Sequence, residues 1–402
     1  MAGVKDETCA GTVNGPTAFA LAAVPEIVFG PGRLADVGAP ALALAGGRER
    51  LVLLVADPGL LGVTAAASEA LASAGLEVAV FDAFHSDPSL AQVDAGAALA
   101  RDTNAAVVVA VGGGSTLDIG KLIAAVAAAD APAETYALCA NPLPRDPLGK
   151  ICVPTTHGTG SETTRTAVVS DAGGHKLWCW GNPLRADTVI LDPELTVGLP
   201  PGLTAATGAD ALVHAMEAAT NRNANPGSDV YAFAAIRHVT RWLPRAIAQP
   251  GDLEARGMLL LAAAHAGIAV DNAGTSIAHT IGHALASLRP IHHGRAVALA
   301  MRATLPWNVE DGDARWAAVA EALGGPREAS AVPGLFERLL RTSGVAITLD
   351  GADDLRPEDL AAEMATAANR PMRLANRRTV SDDDLLRFAH AVLASDRCGA
   401  GP

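Results

Sequence analysis

The stretch AAVVVAVGGGS, residues 105–115, decides the fold class of this chain. Its seven small or branched apolar residues are typical of a strand that is buried on both faces of a sheet. Three glycines and a serine follow, and a helical pattern begins near Thr116. A buried strand, a tight turn and a helix make up the unit that repeats in parallel sheets. The stretch therefore predicts βαβ units in an open α/β sheet.

The same alternation of strand and helix continues on both sides of this stretch. Further apolar runs predict strands at residues 26–29, 51–56, 78–81, 151–154 and 188–191. Helical patterns occupy residues 65–74, 90–102 and 117–128. Open sheets of this kind bind ligands at the carboxyl ends of their strands, so we predict a Rossmann-like nucleotide-binding domain.

The pattern changes after Pro200 and Pro201. Residues 203–393 hold long Ala/Leu-rich stretches with helical spacing and almost no strand pattern. We therefore predict an all-α second domain. The predicted regions are a flexible tail over 1–20, a dinucleotide-binding α/β domain over 21–198 and a helical, metal-binding domain over 199–402.

Composition and charge exclude several classes of protein. The chain has 402 residues, 50% of them hydrophobic and 3% aromatic, so we expect a large core of Ala, Val, Leu and Ile. Its formal net charge of −13, without a Lys/Arg block, argues against nucleic acid or an anionic membrane as a partner. Five scattered cysteines without a C-x-x-C pattern favour the reducing cytoplasm. The longest apolar stretch, 257–270, is too short to span a bilayer and contains His265.

Three predicted strand ends carry candidate nucleotide-binding residues. The glycine turn lets backbone N–H groups approach a phosphate, and the helix after it adds partial positive charge. A carboxylate at the end of strand 51–56 can accept both ribose hydroxyls of NAD. A ligand-free strand–helix turn, a turn cap and an ordinary polar loop stay open as alternatives. The predicted cofactor-binding residues are Asp57, Gly112, Gly113, Gly114, Ser115, Asp118, Thr155, Thr156, Thr159, Ser161 and Lys176.

Histidines and one carboxylate are concentrated in two helical segments and the loop after them. Asp210 and His214, like His279 and His283, are four residues apart and therefore share a helix face. His292 and His293 follow on a loop. A carboxylate with several imidazoles suits a divalent transition metal, although a single histidine is more commonly a core or surface residue.

Four motifs in these regions resemble those of the iron-activated, group III alcohol dehydrogenase family. The motifs are GGGSTLDIGK (112–121), VPTTHGTGSE (153–162), ATGADALVHAMEA (206–218) and HTIGHALASLRPIHHG (279–294). The resemblance implies an active site in the cleft between the two domains, with NAD(H) as cofactor and a divalent metal, Fe²⁺ or alternatively Zn²⁺. It implies Asp210, His214, His279 and His293 as ligands, and His283 as a catalytic residue that relays a proton near the nicotinamide.

The resemblance also implies the reaction, which is hydride transfer between NAD(H) and an alcohol or its aldehyde or ketone. A natural-product tailoring role is one expectation, either phosphonoacetaldehyde-type reduction or oxidation of a hydroxyl-bearing peptide terminus. The alternatives are a maleylacetate reductase-like enzyme, a branch that usually lacks the metal ligands, and a non-catalytic nucleotide- or metal-binding module. A homodimer is a further expectation. Two positions depart from the family: His292 stands where Pro is usual, and His157 stands where Ala is common.

Overall fold

The computed structural model describes residues 18–47, 50–349 and 354–394 of the chain. The predicted tail over 1–20 lies almost wholly outside the described residues. The strands are β1 (Glu26–Phe29), β2 (Leu51–Ala56), β3 (Glu77–Phe81), β4 (Val107–Gly112), β5 (Gly149–Pro154), β6 (Thr166–Ser170), β7 (Lys176–Trp180) and β8 (Thr188–Leu191). The helices are α1 (Gly38–Ala45), α2 (Leu61–Ser73), α3 (Leu90–Asp102), α4 (Gly114–Val126), α5 (Pro201–Thr220), α6 (Pro226–Ala248), α7 (Leu253–Ala273), α8 (Ile277–Leu288), α9 (His293–Asn308), α10 (Ala314–Ala322), α11 (Val332–Thr342), α12 (Pro357–Met364), α13 (Arg370–Ala375) and α14 (Asp382–Leu393).

Six parallel strands form the main sheet in the order β1-β8-β5-β4-β2-β3. The chain leaves β2 toward β3 at one edge and leaves β4 toward β5 on the other side. The boundary between β2 and β4 is therefore the topological switch point, where open α/β sheets leave a crevice for ligands. The predicted fold class, an α/β nucleotide-binding domain followed by a helical domain, is confirmed.

The sheet is buried on both faces because its strands are apolar throughout. In β4, Val107, Val109 and Val111 pack with α1 and α2, while Val108 and Ala110 pack with α3 and α4. Alternate side chains of a strand point to opposite faces, so a continuous apolar run is needed to cover both. This explains why the strands near the switch point were recognisable from the sequence.

A two-stranded antiparallel hairpin, β6–β7, was not predicted. Its strands are short and half-buried, so they lack the continuous apolar pattern of the central strands. Helices α2 and α4 also begin several residues earlier than predicted, since Gly62 and Thr64 interrupt the helical pattern in the first turn of α2, and α4 begins with a glycine and two small polar residues. Pro306 lies inside α9 without ending the helix.

The second half packs around α5, in which every residue from Thr204 to Thr220 is buried. Helix α7 is long and apolar enough to cross a membrane by length and composition, but 67% of its apolar window is buried against the rest of the protein. The predicted apolar stretch 257–270 is part of this helix. Alanine is the commonest residue in these contacts, and its small side chain lets the helices approach closely.

The two halves meet through specific polar contacts as well as through the chain between β8 and α5. Thr163 donates a hydrogen bond to the carbonyl of Ala264 at 2.9 Å, and Arg165 pairs with Asp271 at 2.8 Å. Trp178 of β7 donates through its indole Nε1 to the carbonyl of Ala368 at 3.0 Å. The hairpin therefore contacts the helical domain near the start of α13.

Candidate metal and cofactor site

Three helices bring the predicted metal ligands together. Asp210 lies in the middle of buried α5, His279 is in the first turn of α8, and His293 is the first residue of α9. The Oδ1 atom of Asp210 is 3.8 Å from Nε2 of His279 and 3.6 Å from Nε2 of His293. One donor atom from each of these three residues lies within 4.8 Å of the others.

His214 lies beside this trio on the next turn of α5. Its Nδ1 atom is 3.6 Å from Oδ1 of Asp210, and its ring centroid is 4.3 Å from that of His279. His214 is thus adjacent to the compact group of three without belonging to it. Its role as a fourth ligand stays a prediction.

Unpartnered atoms at this point show that the residues fit a cation. Oδ1 of Asp210, Nδ1 of His214 and Nε2 of His279 are buried and have no hydrogen-bond partner. Buried polar atoms are normally paired, so these unpartnered atoms on and beside the compact group fit a bound cation. Burial lowers the pKa of His279 well below its usual value and that of His293 to about 3, which keeps both rings in the neutral form that binds a metal.

The structure distinguishes the two loop histidines. His292 is exposed and precedes α9, whereas His293 turns toward Asp210 with 33% of its side chain exposed. Gly294 makes this approach possible, because a Cβ there would collide with the backbone of Ala206 in α5. His292 therefore does not prevent the approach of His293 to Asp210, and the role of His293 as a ligand stays a prediction.

Glu217 is a functional residue that the sequence analysis missed. Its buried carboxylate accepts hydrogen bonds from Nδ1 of His279 at 2.6 Å and from the backbone N–H groups of Ser276 and Ala278 at 2.8 and 2.7 Å. These bonds fix the tautomer of His279 and aim its Nε2 at Asp210. Burial raises the pKa of Glu217 to about 7. The signal was present, since Glu217 follows Asp210 by seven residues and so shares its helix face.

His283 lies one turn beyond His279 on α8. Its ring centroid is 5.4 Å from that of His293 and 6.2 Å from that of His279. Burial, with the nearby His279 and Lys176, lowers the pKa of His283 to about 3, so the ring is neutral at physiological pH. The predicted proton relay therefore sits beside the metal ligands and within electrostatic reach of a lysine from the sheet domain.

The predicted cofactor residues meet at the switch point of the sheet. Ala56 of β2 pairs with Val111 of β4, and Gly112 pairs with Pro154 of β5. Asp57, the glycine turn and the loop that begins at Thr155 therefore lie side by side at one edge. The carboxylate of Asp57 accepts a hydrogen bond from the backbone of Gly59 at 2.8 Å, so it caps a turn and is partly exposed.

The glycine turn is packed closely against the loop after β5. A Cβ on Gly114 would lie 2.5 Å from Cγ2 of Thr159, and one on Gly113 would lie 3.5 Å from Cγ2 of Thr156. The backbone N–H of Thr155 donates to the carbonyl of Gly112 at 3.0 Å. Gly113 precedes α4 without a side-chain cap, so the first N–H groups of this helix face the crevice.

Two predicted cofactor residues are engaged in the protein's own hydrogen bonds. Ser161 donates to Oδ1 of Asp118 at 2.5 Å, and Oδ2 of Asp118 accepts from the backbone of Val168 at 3.0 Å. Asp118 also lies 3.3 Å from the ammonium of buried Lys121. These contacts hold β6 against α4, and a direct contact of either residue with the cofactor stays a prediction.

Lys176 is linked to the glycine turn by Asp87, a residue that the sequence analysis missed. Asp87 pairs with Lys176 and contacts Ser115. The lysine ammonium is 2.5 Å from Oδ1 of Asp87, and the backbone N–H of Asp87 donates to Oγ of Ser115 at 3.3 Å. A cavity of about 410 Å³ lies here and also touches Ala286 of α8. The lining of the cavity thus includes Lys176 of the sheet domain and one residue of α8, the helix that also carries His279 and His283. Asp87 has a positive φ of 59°, which an isolated sequence does not reveal.

His157, which stands in the polar loop after β5, is completely buried. Its ring lies between Thr207 of α5 and Arg256 of α7, with Nδ1 3.3 Å from Oγ1 of Thr207 and Nε2 3.4 Å from Nη1 of Arg256. It therefore contacts the helical domain and does not line the cleft.

Comparison with known proteins identifies relatives over the whole described chain. A family model described as iron-containing alcohol dehydrogenase matches residues 25–193, and one described as the C-terminal domain of the Fe-containing alcohol dehydrogenase family matches residues 204–393. The NAD-dependent methanol dehydrogenase of Bacillus methanolicus is 34% identical over 301 residues, covering 75% of this chain and 78% of that protein. The sulfoacetaldehyde reductase of Bilophila wadsworthia (strain 3_1_6) is 33% identical over 388 residues, covering 93% and 99%.

A solved structure agrees in fold over nearly the entire length. The sulfoacetaldehyde reductase from Bifidobacterium kashiwanohense in complex with NAD⁺ superposes with a TM-score of 0.85 at 28% identity. The superposition covers 95% of this chain and 100% of that one.

Proposed function

The chain belongs to the iron-containing alcohol dehydrogenase family, and we propose that it interconverts a small alcohol and the corresponding aldehyde or ketone. It is an NAD-dependent oxidoreductase, in keeping with its relatives that are named as NAD-dependent dehydrogenases. The observation that carries the proposal is the set of buried, unpartnered atoms on Asp210, His214 and His279, which fits a divalent cation.

The residues divide the work between the two domains. Asp210, His279 and His293, with His214 beside them, hold the metal. When bound there, a divalent cation, Fe²⁺ by the name of the family or alternatively Zn²⁺, would supply Lewis-acid polarisation of the oxygen of the alcohol or carbonyl substrate. NAD(H) supplies the acceptor or donor of the hydride. The N-terminus of α4 and the loop after β5 bind its phosphates, and Asp57 binds the adenosine ribose.

His283 handles the proton of the substrate hydroxyl. Its ring is neutral at physiological pH, so one nitrogen accepts a proton while the other releases one toward the cavity near Ala286. Lys176 is held by Asp87 at the mouth of this cavity, where its charge disfavours a lasting imidazolium. A proton accepted by His283 is therefore passed on toward solvent.

Surface features support a homodimer, which is part of the proposal. β1 is the outer strand of the six-stranded sheet, and Phe29 at its end is 42% exposed while its ring lies against Gly257 of α7. Leu253, one turn earlier on α7, and Val230 on α6 are also exposed apolar side chains. An apolar edge strand favours pairing with a second copy. Sedimentation analysis of the purified protein tests this.

A cytoplasmic location is also proposed. The three cysteines among the described residues, Cys139, Cys152 and Cys179, are free thiols, and two of them are buried. Free thiols are typical of a reducing compartment.

The substrate beyond its alcohol or carbonyl group remains a proposal, and natural-product tailoring is one candidate. The test is an NAD(P)H absorbance screen of protein reconstituted with Fe²⁺ or Zn²⁺. The panel contains simple alcohols, sulfoacetaldehyde, phosphonoacetaldehyde, hydroxyl-bearing peptides and maleylacetate. Metal-dependent oxidation or reduction of an alcohol or aldehyde is the expected result.

Other results of the screen would favour the alternatives. Turnover of maleylacetate by metal-free protein would favour the maleylacetate reductase branch. Binding of both metal and NADH without turnover of any compound would favour a non-catalytic binding module.

A further inference from the structure

His157 has no role in the proposed chemistry, yet it lies inside the loop that faces the cofactor edge. Its neighbours Thr155 and Thr156 contact the glycine turn, as does Thr159. Its own side chain points the other way and is fully buried against the helical domain. One side of the loop therefore faces the glycine turn, with which it forms the proposed cofactor cradle. The other side faces α5, which carries Asp210, and α7.

The hydrogen bonds of His157 have one consistent direction. An arginine can only donate, so Nε2 of His157 must accept from Nη1 of Arg256. Nδ1 then carries the proton of the neutral ring and donates to Oγ1 of Thr207, whose hydroxyl donates to the carbonyl of Leu203 at 2.9 Å. Burial and the Arg256 charge lower the pKa of His157 to about 3, so this arrangement persists at every working pH.

This chain of bonds ends next to a metal ligand. Thr207 precedes Asp210 by three residues on α5, so both lie on one face of the helix. The backbone is equally close here: a Cβ on Gly158 would lie 2.9 Å from Cβ of Thr207, and one on Gly160 would lie 2.5 Å from the carbonyl oxygen of Ala263 in α7. The loop is thus fitted to α5 and α7 by backbone contact and fixed by the His157 side chain.

The burial of the Arg256 guanidinium costs folding free energy. Its side chain is fully buried, and its partners are the hydroxyl of Thr204 at 2.8 Å, the carbonyl of Pro250 at 3.0 Å and His157. Within the described residues no carboxylate pairs with it, and its Nη2 atom has no partner. A buried charge without a counter-charge destabilises a fold, so stability alone does not account for its presence.

We propose that His157 is a positioning residue. Through Arg256 and Thr207 it sets the distance between the cofactor cradle and α5, the helix that carries Asp210. The inference rests on the proposed function, because the distance matters only if a hydride passes between the two sites. A shift of the loop by a fraction of an ångström would misplace the nicotinamide relative to the substrate.

Substitutions at His157 test the proposal. His157→Leu keeps an apolar side chain and removes both ring nitrogens. His157→Asn keeps an N–H group where Nδ1 lies, so it can still donate to Thr207. We expect His157→Leu to weaken NADH binding by about tenfold or more, in the range of one lost buried hydrogen bond, and to lower kcat while the metal content stays at the wild-type level. His157→Asn is expected to recover part of both losses.

Two buried arginines provide a matched control. Arg256→Met removes the partner of His157, and Arg315→Met removes the equally buried guanidinium that bonds to Ala219 and Asp229 in the helical domain. Both variants are expected to melt at a lower temperature. Only Arg256→Met is expected to raise KM for NAD⁺ and to change the primary deuterium isotope effect, with all assays run well below the melting transition.

Three measurements decide the outcome: NADH affinity by nicotinamide fluorescence, steady-state kinetics, and the isotope effect. A His157→Leu enzyme with a lower melting temperature but wild-type NADH affinity and isotope effect would overturn the inference, since His157 would then be merely structural. A wild-type protein that binds NADH but turns over no substrate contradicts the proposed function instead. The NADH affinities of the variants still decide whether His157 holds the cradle.

Discussion

His279 uses its two ring nitrogens for different purposes. Nε2 faces Asp210 without a partner, while Nδ1 donates to Glu217. We expect His279→Ala to lose most of its bound metal and activity, because a compact set of ligands loses much of its affinity with one imidazole. His265→Ala is the control. The ring of His265, on α7, packs against Tyr231 and His238 of α6 and not against the predicted metal ligands. Elemental analysis of both proteins measures the effect, and full metal occupancy in His279→Ala would falsify the assignment.

Glu217 allows a finer test of the same site. Both oxygens of its carboxylate accept hydrogen bonds, three in all. In Glu217→Gln an NH₂ group replaces one oxygen and faces an N–H donor, so at least one of these hydrogen bonds is lost. The metal ligands themselves are unchanged. We expect metal affinity to fall by about 10- to 100-fold, as is usual when the partner of a ligating histidine is altered. Competition with a coloured chelator measures the affinity. Unchanged affinity would mean that the backbone of α8 alone orients His279.

Asp57 decides the choice of cofactor in this interpretation. The carboxylate lies at the switch point beside Gly112, and the loop after it, Pro58-Gly59-Leu60, offers no basic side chain to a 2′-phosphate. We expect NAD(H) to be preferred over NADP(H) by about a hundredfold in kcat/KM, and Asp57→Gly to narrow this ratio. Kinetics with both cofactors give the ratio. The same ratio in the variant would place Asp57 away from the ribose.

At the scale of elements, the N-terminus of α4 depends on two adjacent glycines. Gly114→Ala would place a methyl group 2.5 Å from Cγ2 of Thr159, so the loop after β5 must move. We expect KM for NAD⁺ to rise by about tenfold, since a small displacement at the cradle disturbs cofactor orientation. Gly62→Ala near the start of α2 is the matched control, because a Cβ there contacts nothing within 4 Å.

The control is expected to leave KM unchanged and to stabilise the fold by up to about 1 kcal/mol, as Ala replaces Gly in a helix. Steady-state kinetics and thermal unfolding of the two variants separate the effects. If both variants bind NAD⁺ as the wild type does, the turn and the loop are not part of the cofactor cradle.

The sequence was most informative where one local rule decides the structure. Parallel strands such as β4 are buried on both faces, so an apolar run was enough to identify them. The four-residue spacing of Asp210 and His214 predicted that both lie on one face of a helix. The structure shows that this face of α5 lies next to His279 and His293. The sheet order then followed only from the structure, since the pairing of strands depends on contacts between distant residues.

Other features had no local signal. The β6–β7 hairpin is half-buried and short, and its position over the helical domain depends on the contact between Trp178 and Ala368. Asp87 reaches Lys176 through a backbone with positive φ, which its residue type only permits. The burial of His157 against Arg256 joins residues separated by 99 positions, so no motif around either one predicts the contact.

At the scale of the whole molecule, the two halves are joined by more than the covalent chain. Gly198 is an exposed residue in the connection between β8 and α5. The contacts Thr163–Ala264, Arg165–Asp271 and Trp178–Ala368 bridge the halves elsewhere. We expect a protein cut by a site-specific protease at a site inserted after Gly198 to stay in one particle and to keep its activity. Gel filtration and an NADH assay of the cut protein measure this. Two separate fragments under native conditions would show that these contacts are too weak.

The same connection has a consequence for ancestry. The predicted cofactor residues all precede β8, and the metal ligands all follow the start of α5, so a single crossover in a gene near this point could exchange cofactor preference while the metal centre is inherited intact. The two family models divide at the same place, between residues 193 and 204. His157 and Arg256 stand on opposite sides of it. A hybrid gene that takes one of these two residues from each parent would lose the contact between them. We therefore expect the two residues to be inherited together.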